Sequence, residues 1–225
     1  MSYLVKEDFI IDLGFTVTAS DVLNAVNDTN SFLKTLPEIL YKSIDFKTTG
    51  SAIGAIFCDK LATNIEGAAV NPIEKGHPDV IPASGLNASE EELRNYPKGL
   101  EIKGTIGNVR KGANLRAGQK RIAELTGITW QAHHREVKHL MGFVWDFNDE
   151  SKGFHFPIIV GVFYFDELEV NDWGEISGTT GRNTKVSGML RSGKEKMGKG
   201  WIVMLNEPDY LRKLKAYLSI IDVEG

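Results

Sequence analysis

Apolar residues recur at helical spacing through residues 19–44, ASDVLNAVNDTNSFLKTLPEILYKSI, and the pattern breaks near Pro37, where a ring without an N–H cannot continue a helix. A second helix with a strong apolar face is predicted over residues 50–65, GSAIGAIFCDKLATNI. The chain up to about residue 65 therefore reads as mainly helical. Beyond it, Pro72, Pro78 and Pro82 forbid a helix, and Asp79-Val80-Ile81 predicts a short strand.

Residues 87–95, NASEEELRN, predict a short helix capped by Asn87 or Ser89, with glutamates in the first turn where the helix dipole favours them. In GLEIKGTI, residues 99–106, Leu100 and Ile102 alternate with Glu101 and Lys103. A strand there places both charges on one face and both aliphatics on the other. Residues 114–127, NLRAGQKRIAELTG, predict a helix ended by Gly127. Two aromatic, β-rich runs follow, HLMGFVWDF (139–147) and FPIIVGVFYF (156–165), joined by a polar turn, NDESKG. A Gly-rich basic stretch, the strand GWIVML and the helix EPDYLRKLKAYLSII close the chain. The sum is an α/β or α+β protein with helices flanking a mixed sheet of at least four strands.

Composition sets the scale. A chain of 225 residues, 42% hydrophobic and 25% charged, fits a single domain over residues 1–225. Its core spans about 50–165, between an N-terminal helical region to residue 49 and a C-terminal region from 166. No run approaches 18 apolar residues, which excludes a transmembrane helix. The start, MSYLVKEDFIIDLG, lacks the basic residues and long apolar run of a secretory signal. A cytoplasmic protein is expected. Cys58, the only cysteine, sits in an apolar run and reads as a small buried hydrophobe.

Charge changes the picture more. The net charge is −4, yet residues 103–121 carry six Lys/Arg and no acid, and residues 182–199 carry six against Glu195 alone. Both windows are also rich in Gly, Asn, Thr and Ser, which can donate hydrogen bonds to phosphate oxygens. Local field outweighs total charge when a polyanion approaches, so an anionic partner is expected.

Candidate chemistry lies beside the first window. If the strand after Asp79 neighbours the strand carrying Glu101 and Lys103, two carboxylates and an ammonium converge. Hard oxygen ligands of that kind suit Mg²⁺, which keeps several waters and binds phosphate. A lysine beside it can position or deprotonate an attacking water. Pro78-Asp79, followed 22 residues later by Glu101-Ile102-Lys103, resembles the PD-(D/E)xK signature of the nuclease superfamily that includes many type II restriction endonucleases. The resemblance covers roughly residues 50–165. It implies that Asp79, Glu101 and the main-chain carbonyl of Ile102 hold Mg²⁺ while Lys103 serves catalysis. It further implies an acid from the preceding helix, for which Asp59 and Glu66 are the candidates.

Three rival (D/E)xK triplets occur: Asp45-Phe46-Lys47, Glu136-Val137-Lys138 and Glu150-Ser151-Lys152. Asp45 has no Pro-Asp upstream, Glu150 falls in the expected turn, and Glu136 lies 57 residues beyond Asp79. The family function implied is site-specific, Mg²⁺-dependent cleavage of double-stranded DNA by a homodimer, with a cognate DNA methyltransferase protecting host DNA. Arg110, Lys111, Asn114, Arg116, Lys120, Arg121, Arg182, Asn183, Lys185, Arg191 and Lys194 would then contact DNA. His133 and His134 point to opposite faces of a strand and cannot share one ion; His134 is the candidate phosphate contact. A repair or recombination nuclease and a non-catalytic DNA-binding protein are the alternatives. KGTIGNVRKG contains no GxxxxGK[ST], and neither a post-strand GxGxxG nor a GxSxG elbow occurs, so nucleotide-cofactor and ordinary esterase chemistry lack support.

Overall fold

The computed structural model describes residues 1–74, 76–110, 118–133, 135, 137, 139–151, 153–177 and 185–221. Strand β1 is Tyr3–Val5, and β2 (Ile10–Asp12) and β3 (Thr16–Thr18) form a hairpin. Thr18 caps helix α1, Ala19–Leu33: its hydroxyl accepts from the Asp21 amide and the Asp21 carboxylate accepts from the Thr18 amide, satisfying two donors the helix cannot. Pro37 precedes α2, Glu38–Ser43, and the Asp45 carboxylate caps α3, Phe46–Asn64, through the Thr48 amide at 2.7 Å. Strands β4 (Ala68–Val70) and β5 (Val80–Pro82) pair antiparallel. Ser89 caps the single-turn α4, Glu90–Leu93. Then come β6 (Glu101–Thr105), the small pair β7 (Asn108–Val109) and β8 (Leu125–Gly127), β9 (Gln131–Ala132), β10 (Leu140–Ser151) and β11 (Phe154–Phe165). The chain ends with β12 (Ser187–Gly188), which pairs with β9, then α5 (Arg191–Lys199), β13 (Trp201–Leu205) and α6 (Pro208–Leu218).

The central sheet has the order β1-β13-β11-β10-β6, antiparallel except for the parallel pair β10 and β6. The architecture is a mixed sheet flanked by helices. Strand periodicity divides β10 between two cores. Met141, Phe143, Trp145 and Phe147 pack with α1 and α3, whereas Leu140 and Val144 pack with Trp130, Met197 of α5 and Leu214 of α6. Gly50 and Gly54, one turn apart on α3, lie against Trp145 and Phe143, and a Cβ on Gly104 of β6 would come within 2.3 Å of the Phe143 ring. Those glycines let helix and edge strand close on the same aromatics. Truncating a fully buried Phe such as Phe143 costs roughly 3–5 kcal/mol.

The structure departs from the pattern-based reading at four places. The first 18 residues hold three short strands and no helix, and β1 takes the sheet edge, where the Tyr3 hydroxyl donates to the Ile159 carbonyl at 2.7 Å while Asn30 of α1 bonds both Tyr3 and the Ile159 amide. A bulge between Val144 and Trp145 shifts the register beside Ile159, and the Asn30 and Tyr3 side chains satisfy its main-chain groups. Residues 118–127 are not a helix: Ile122–Glu124 is one 3₁₀ turn leading into β8. The cause is Asp146 of β10, whose buried carboxylate accepts the amides of Arg121 and Ile122 at 2.9–3.0 Å. Residues 111–117 of that expected helix lie outside the described residues. The turn between β10 and β11 is shorter than NDESKG, so Glu150 sits in a strand opposite His155. The second basic window, finally, contains a helix, α5, braced by Lys196 against Asp172 at 2.8 Å. Cys58 is buried as expected. Among the described residues no helix is long and apolar enough to cross a membrane.

Candidate active site

Asp79 reaches its place through a clamp built on Asn71. At the end of β4 the Asn71 amide donates to the Asp79 carbonyl at 2.9 Å, and its side-chain amide donates to the carbonyls of Pro78 (3.1 Å) and Leu93 (2.9 Å). Asn71 is buried, and a Cβ on Gly76 would come within 2.4 Å of its side chain. The loop His77-Pro78-Asp79 is thereby tied to both β4 and the end of α4.

The next residue bridges to β6. Val80 and Leu100 exchange main-chain hydrogen bonds of 3.1 and 2.8 Å. Gly99 makes this approach possible: its φ is 140°, and a Cβ there would meet the Val80 carbonyl oxygen at 2.3 Å. The antiparallel contact stops after Leu100, and the Asp79 carboxylate takes over, accepting the Ile102 amide at 2.7 Å. The Glu101 amide points the other way, toward the His139 carbonyl. Because a strand residue directs its N–H and C=O to the same side, the Ile102 carbonyl shares the open edge of β6 with Asp79.

Glu101 and Lys103 do share one face, but it is not a wet one. The Glu101 side chain is 7% exposed and that of Lys103 21%. Lys103 Nζ forms an ion pair with Glu101 Oε1 and lies 3.8 Å from Asp79 Oδ2, while His77 Nδ1 lies 3.2 Å from Glu101 Oε2. The trio expected from sequence, Asp79, Glu101 and Lys103, thus converges within ion-pair distance.

Burial sets the electrostatics, and the neighbours answer it. Burial raises the Asp79 carboxyl above the usual range, with the Glu101 charge adding and Lys103 opposing. Burial pushes Glu101 the same way, but Lys103 and His77 outweigh it and hold that carboxyl below its usual value. Burial would discharge Lys103, yet Asp79 and Glu101 keep its ammonium above the usual range. The neighbours thus favour the charged forms of Glu101 and Lys103, whereas burial favours the neutral form of Asp79. Burial also raises the nearby Cys58 thiol, helped by Asp79, which leaves it inert.

The other expected residues divide. Asp59 is 62% exposed on its side chain and pairs with Lys60, and Glu66 is exposed; neither joins the trio by a hydrogen bond or ion pair. Asp45 is accounted for as the α3 cap. Glu136, Lys138 and Lys152 lie outside the described residues. Among the expected DNA contacts, Arg110 and Lys185 are exposed and Lys194 is half-buried. Arg191 is exposed and pairs with Glu195, and Lys120 pairs with Glu207 at 3.2 Å. Arg121 corrects the expectation: it is 4% exposed, its guanidinium lies 4.7 Å from the Phe46 ring centroid, and it serves the core rather than a DNA surface. Lys111, Asn114, Arg116, His134, Arg182 and Asn183 lie outside the described residues.

Two residues escaped the sequence reading, Asn71 and His77. Asn71 ends a strand just before Pro72, where an Asn side chain commonly bonds nearby main chain. His77 stands two residues before Asp79, a spacing that carries no motif of its own.

The donor set suits a hard divalent cation. Asp79 and Glu101 offer carboxylate oxygens, and the Ile102 carbonyl adds a neutral one on the same edge; Mg²⁺ completes such a partial set with water. Among the described residues no cluster of three or more His, Cys, Asp or Glu could hold an ion; those that converge here offer a metal two acids and main chain. A cavity of about 220 Å³ adjoins Glu101, walled also by His77, Asn95, Tyr96, Lys98 and His139. No protein-family model, curated protein or solved structure matches the chain.

Proposed function

We propose that this chain is a Mg²⁺-dependent endonuclease that hydrolyses phosphodiester bonds of double-stranded DNA, built on a PD-(D/E)xK core and acting in the manner of a type II restriction enzyme. The observation that carries the reading is the convergence of Asp79, Glu101 and Lys103 across two strands, with both acids contacting one ammonium. In this reading Asp79, Glu101 and the Ile102 carbonyl hold the metal. Bound Mg²⁺ would lower the pKa of a coordinated water and offset charge on the phosphate. Lys103 orients the attacking water: its ammonium is kept charged by the two acids, which favours a hydrogen-bond donor over a general base. His77 holds Glu101 from the side away from Lys103.

A homodimer is proposed because two-fold symmetry lets identical sites cut both strands of a palindrome. A cognate methyltransferase follows from the same proposal. One observation favours a repair or recombination nuclease on the same core as the second reading. Arg121, an expected DNA contact, is buried, and Lys120 and Arg191 are engaged in ion pairs, which thins the surface available for base readout.

The test is incubation of purified protein with plasmid DNA and Mg²⁺. Discrete fragments support the restriction reading, and nicks or smears support the second one. Intact DNA across buffers and metals, with retained binding, leaves a DNA-binding protein and overturns both.

A further inference from the structure

The cavity beside Glu101 has features that the cleavage chemistry leaves unused. It is concave, holds about 220 Å³ and has the buried carboxylate of the site in its wall. That volume lies below the roughly 300 Å³ at which pockets begin to enclose drug-sized ligands. It is room for one planar ring system and too little for a base pair.

Its walls are chemically mixed and rigidly held. The Tyr96 ring rests on Gly85, where a Cβ would come within 2.8 Å of the ring, and the Tyr96 amide donates to the His77 carbonyl at 2.7 Å. His77 in turn donates its amide to the Arg94 carbonyl at 3.2 Å, so platform and imidazole form one unit with the Asp79 loop. His139, also in the wall, has its Nδ1 paired with the Tyr164 hydroxyl at 3.1 Å, which leaves Nε2 for another partner. Asn95 carries an amide of the kind that pairs with base edges, and Lys98 is an exposed cation at the rim. An aromatic ring, an amide, the His139 imidazole nitrogen and a rim cation are what one nucleotide needs: stacking, edge hydrogen bonds and phosphate neutralisation.

We infer that this cavity takes a single unpaired nucleotide adjoining the bond to be cut. The inference rests on the nuclease reading and narrows its substrate. A base that stays paired inside a duplex stack has both faces covered by its neighbours and cannot stack on a side chain of this cavity. A substrate that fills it must present a base that is extruded, bulged or single-stranded.

The test uses a duplex oligonucleotide with one bulged 2-aminopurine and a fully paired control, each titrated with the full chain in Ca²⁺. The bulged duplex should bind more tightly, roughly five- to a hundredfold, as expected for one stacked base, with the 2-aminopurine fluorescence quenched on binding. Tyr96→Ala should bring the affinity ratio close to one, and Tyr96→Phe should restore it, which a folding defect would not. Equal affinity for the two duplexes, or a preference that survives Tyr96→Ala, overturns the inference. The same duplexes incubated with Mg²⁺ separate the two proposals. Cleavage without preference leaves the nuclease and removes the nucleotide cavity. Preference without cleavage leaves the cavity and removes the nuclease.

Discussion

The Ile102 amide donates to Asp79 Oδ2 at 2.7 Å, so the edge of β6 itself fixes the orientation of the first acid. This bond stands where the antiparallel contact of Val80 with Leu100 would otherwise continue. A carboxylate replaces a strand carbonyl, and the edge donor is satisfied without covering the Ile102 carbonyl. The same edge can therefore present two oxygens to one point.

Substitution of the trio tests the assignment of roles. Asp79→Ala, Glu101→Ala and Lys103→Ala should each lower Mg²⁺-dependent cleavage by at least about a hundredfold, the scale of losing one preorganised electrostatic group. DNA binding in Ca²⁺ should remain close to wild type. Gel analysis of cleavage beside anisotropy of a labelled duplex reads both quantities. Near-normal cutting by any two variants would sink the proposal.

The clamp predicts a positioning defect at a distance. Asn71→Ala leaves the carbonyls of Pro78 and Leu93 without their shared donor, at a cost of roughly 1–3 kcal/mol for each buried group unmade. Urea unfolding should show that loss. Because Asn71 also orders the Asp79 loop, cleavage should fall in molecules that remain folded. Full activity at undiminished stability would show that the loop holds itself.

Acid stability carries a sign that follows from Glu101. Its folded carboxyl is held below the ordinary 4.5 by Lys103 and His77 against the pull of burial. Its contribution is therefore present above pH 4.5 and lost as pH falls through the lower, folded value. Asp79 works in the opposite sense, since burial raises it, so the comparison belongs in an Asp79→Asn background. There, Glu101→Gln should cost about 1.5–3 kcal/mol near neutrality, the range for hydrogen bonds to charged groups. The gap should close below pH 4.5. A gap that widens on acidification would reverse the assignment.

Much of this was legible in the residues and some was not. The helices α1, α3 and α6, the strands β10, β11 and β13 and the Ser89 cap follow from periodicity and capping chemistry, which act locally. So does the spacing that brings Asp79 near Glu101. The failed helix over residues 118–127 shows the limit: its apolar and basic spacing is helical, yet Asp146, remote in sequence, captures the Arg121 and Ile122 amides. Nothing in residues 114–127 announces that partner. The burial of Arg121 follows from the same event, which is why its charge misled. Asn71 and His77 were invisible for a related reason, since their partners belong to loops whose meeting the chain order does not reveal.

Asp146 itself gives the last prediction, because it separates stability from chemistry. Its carboxylate accepts from the amides of Arg121, Ile122 and Phe147 and from the Tyr210 hydroxyl at 2.7–3.0 Å. Asp146→Ala strands those donors inside the core and should cost about 3–5 kcal/mol, the scale for breaking a buried charged network. Asp146→Asn keeps the volume but turns an NH₂ toward main-chain N–H groups, so it should also destabilise. Neither change touches Asp79, Glu101 or Lys103. Below its melting transition each variant should retain the metal dependence of wild-type cleavage, read as the Mg²⁺ concentration at half-maximal rate. A shifted metal requirement would mean that Asp146, and not the Asp79–Glu101 pair alone, helps hold the ion.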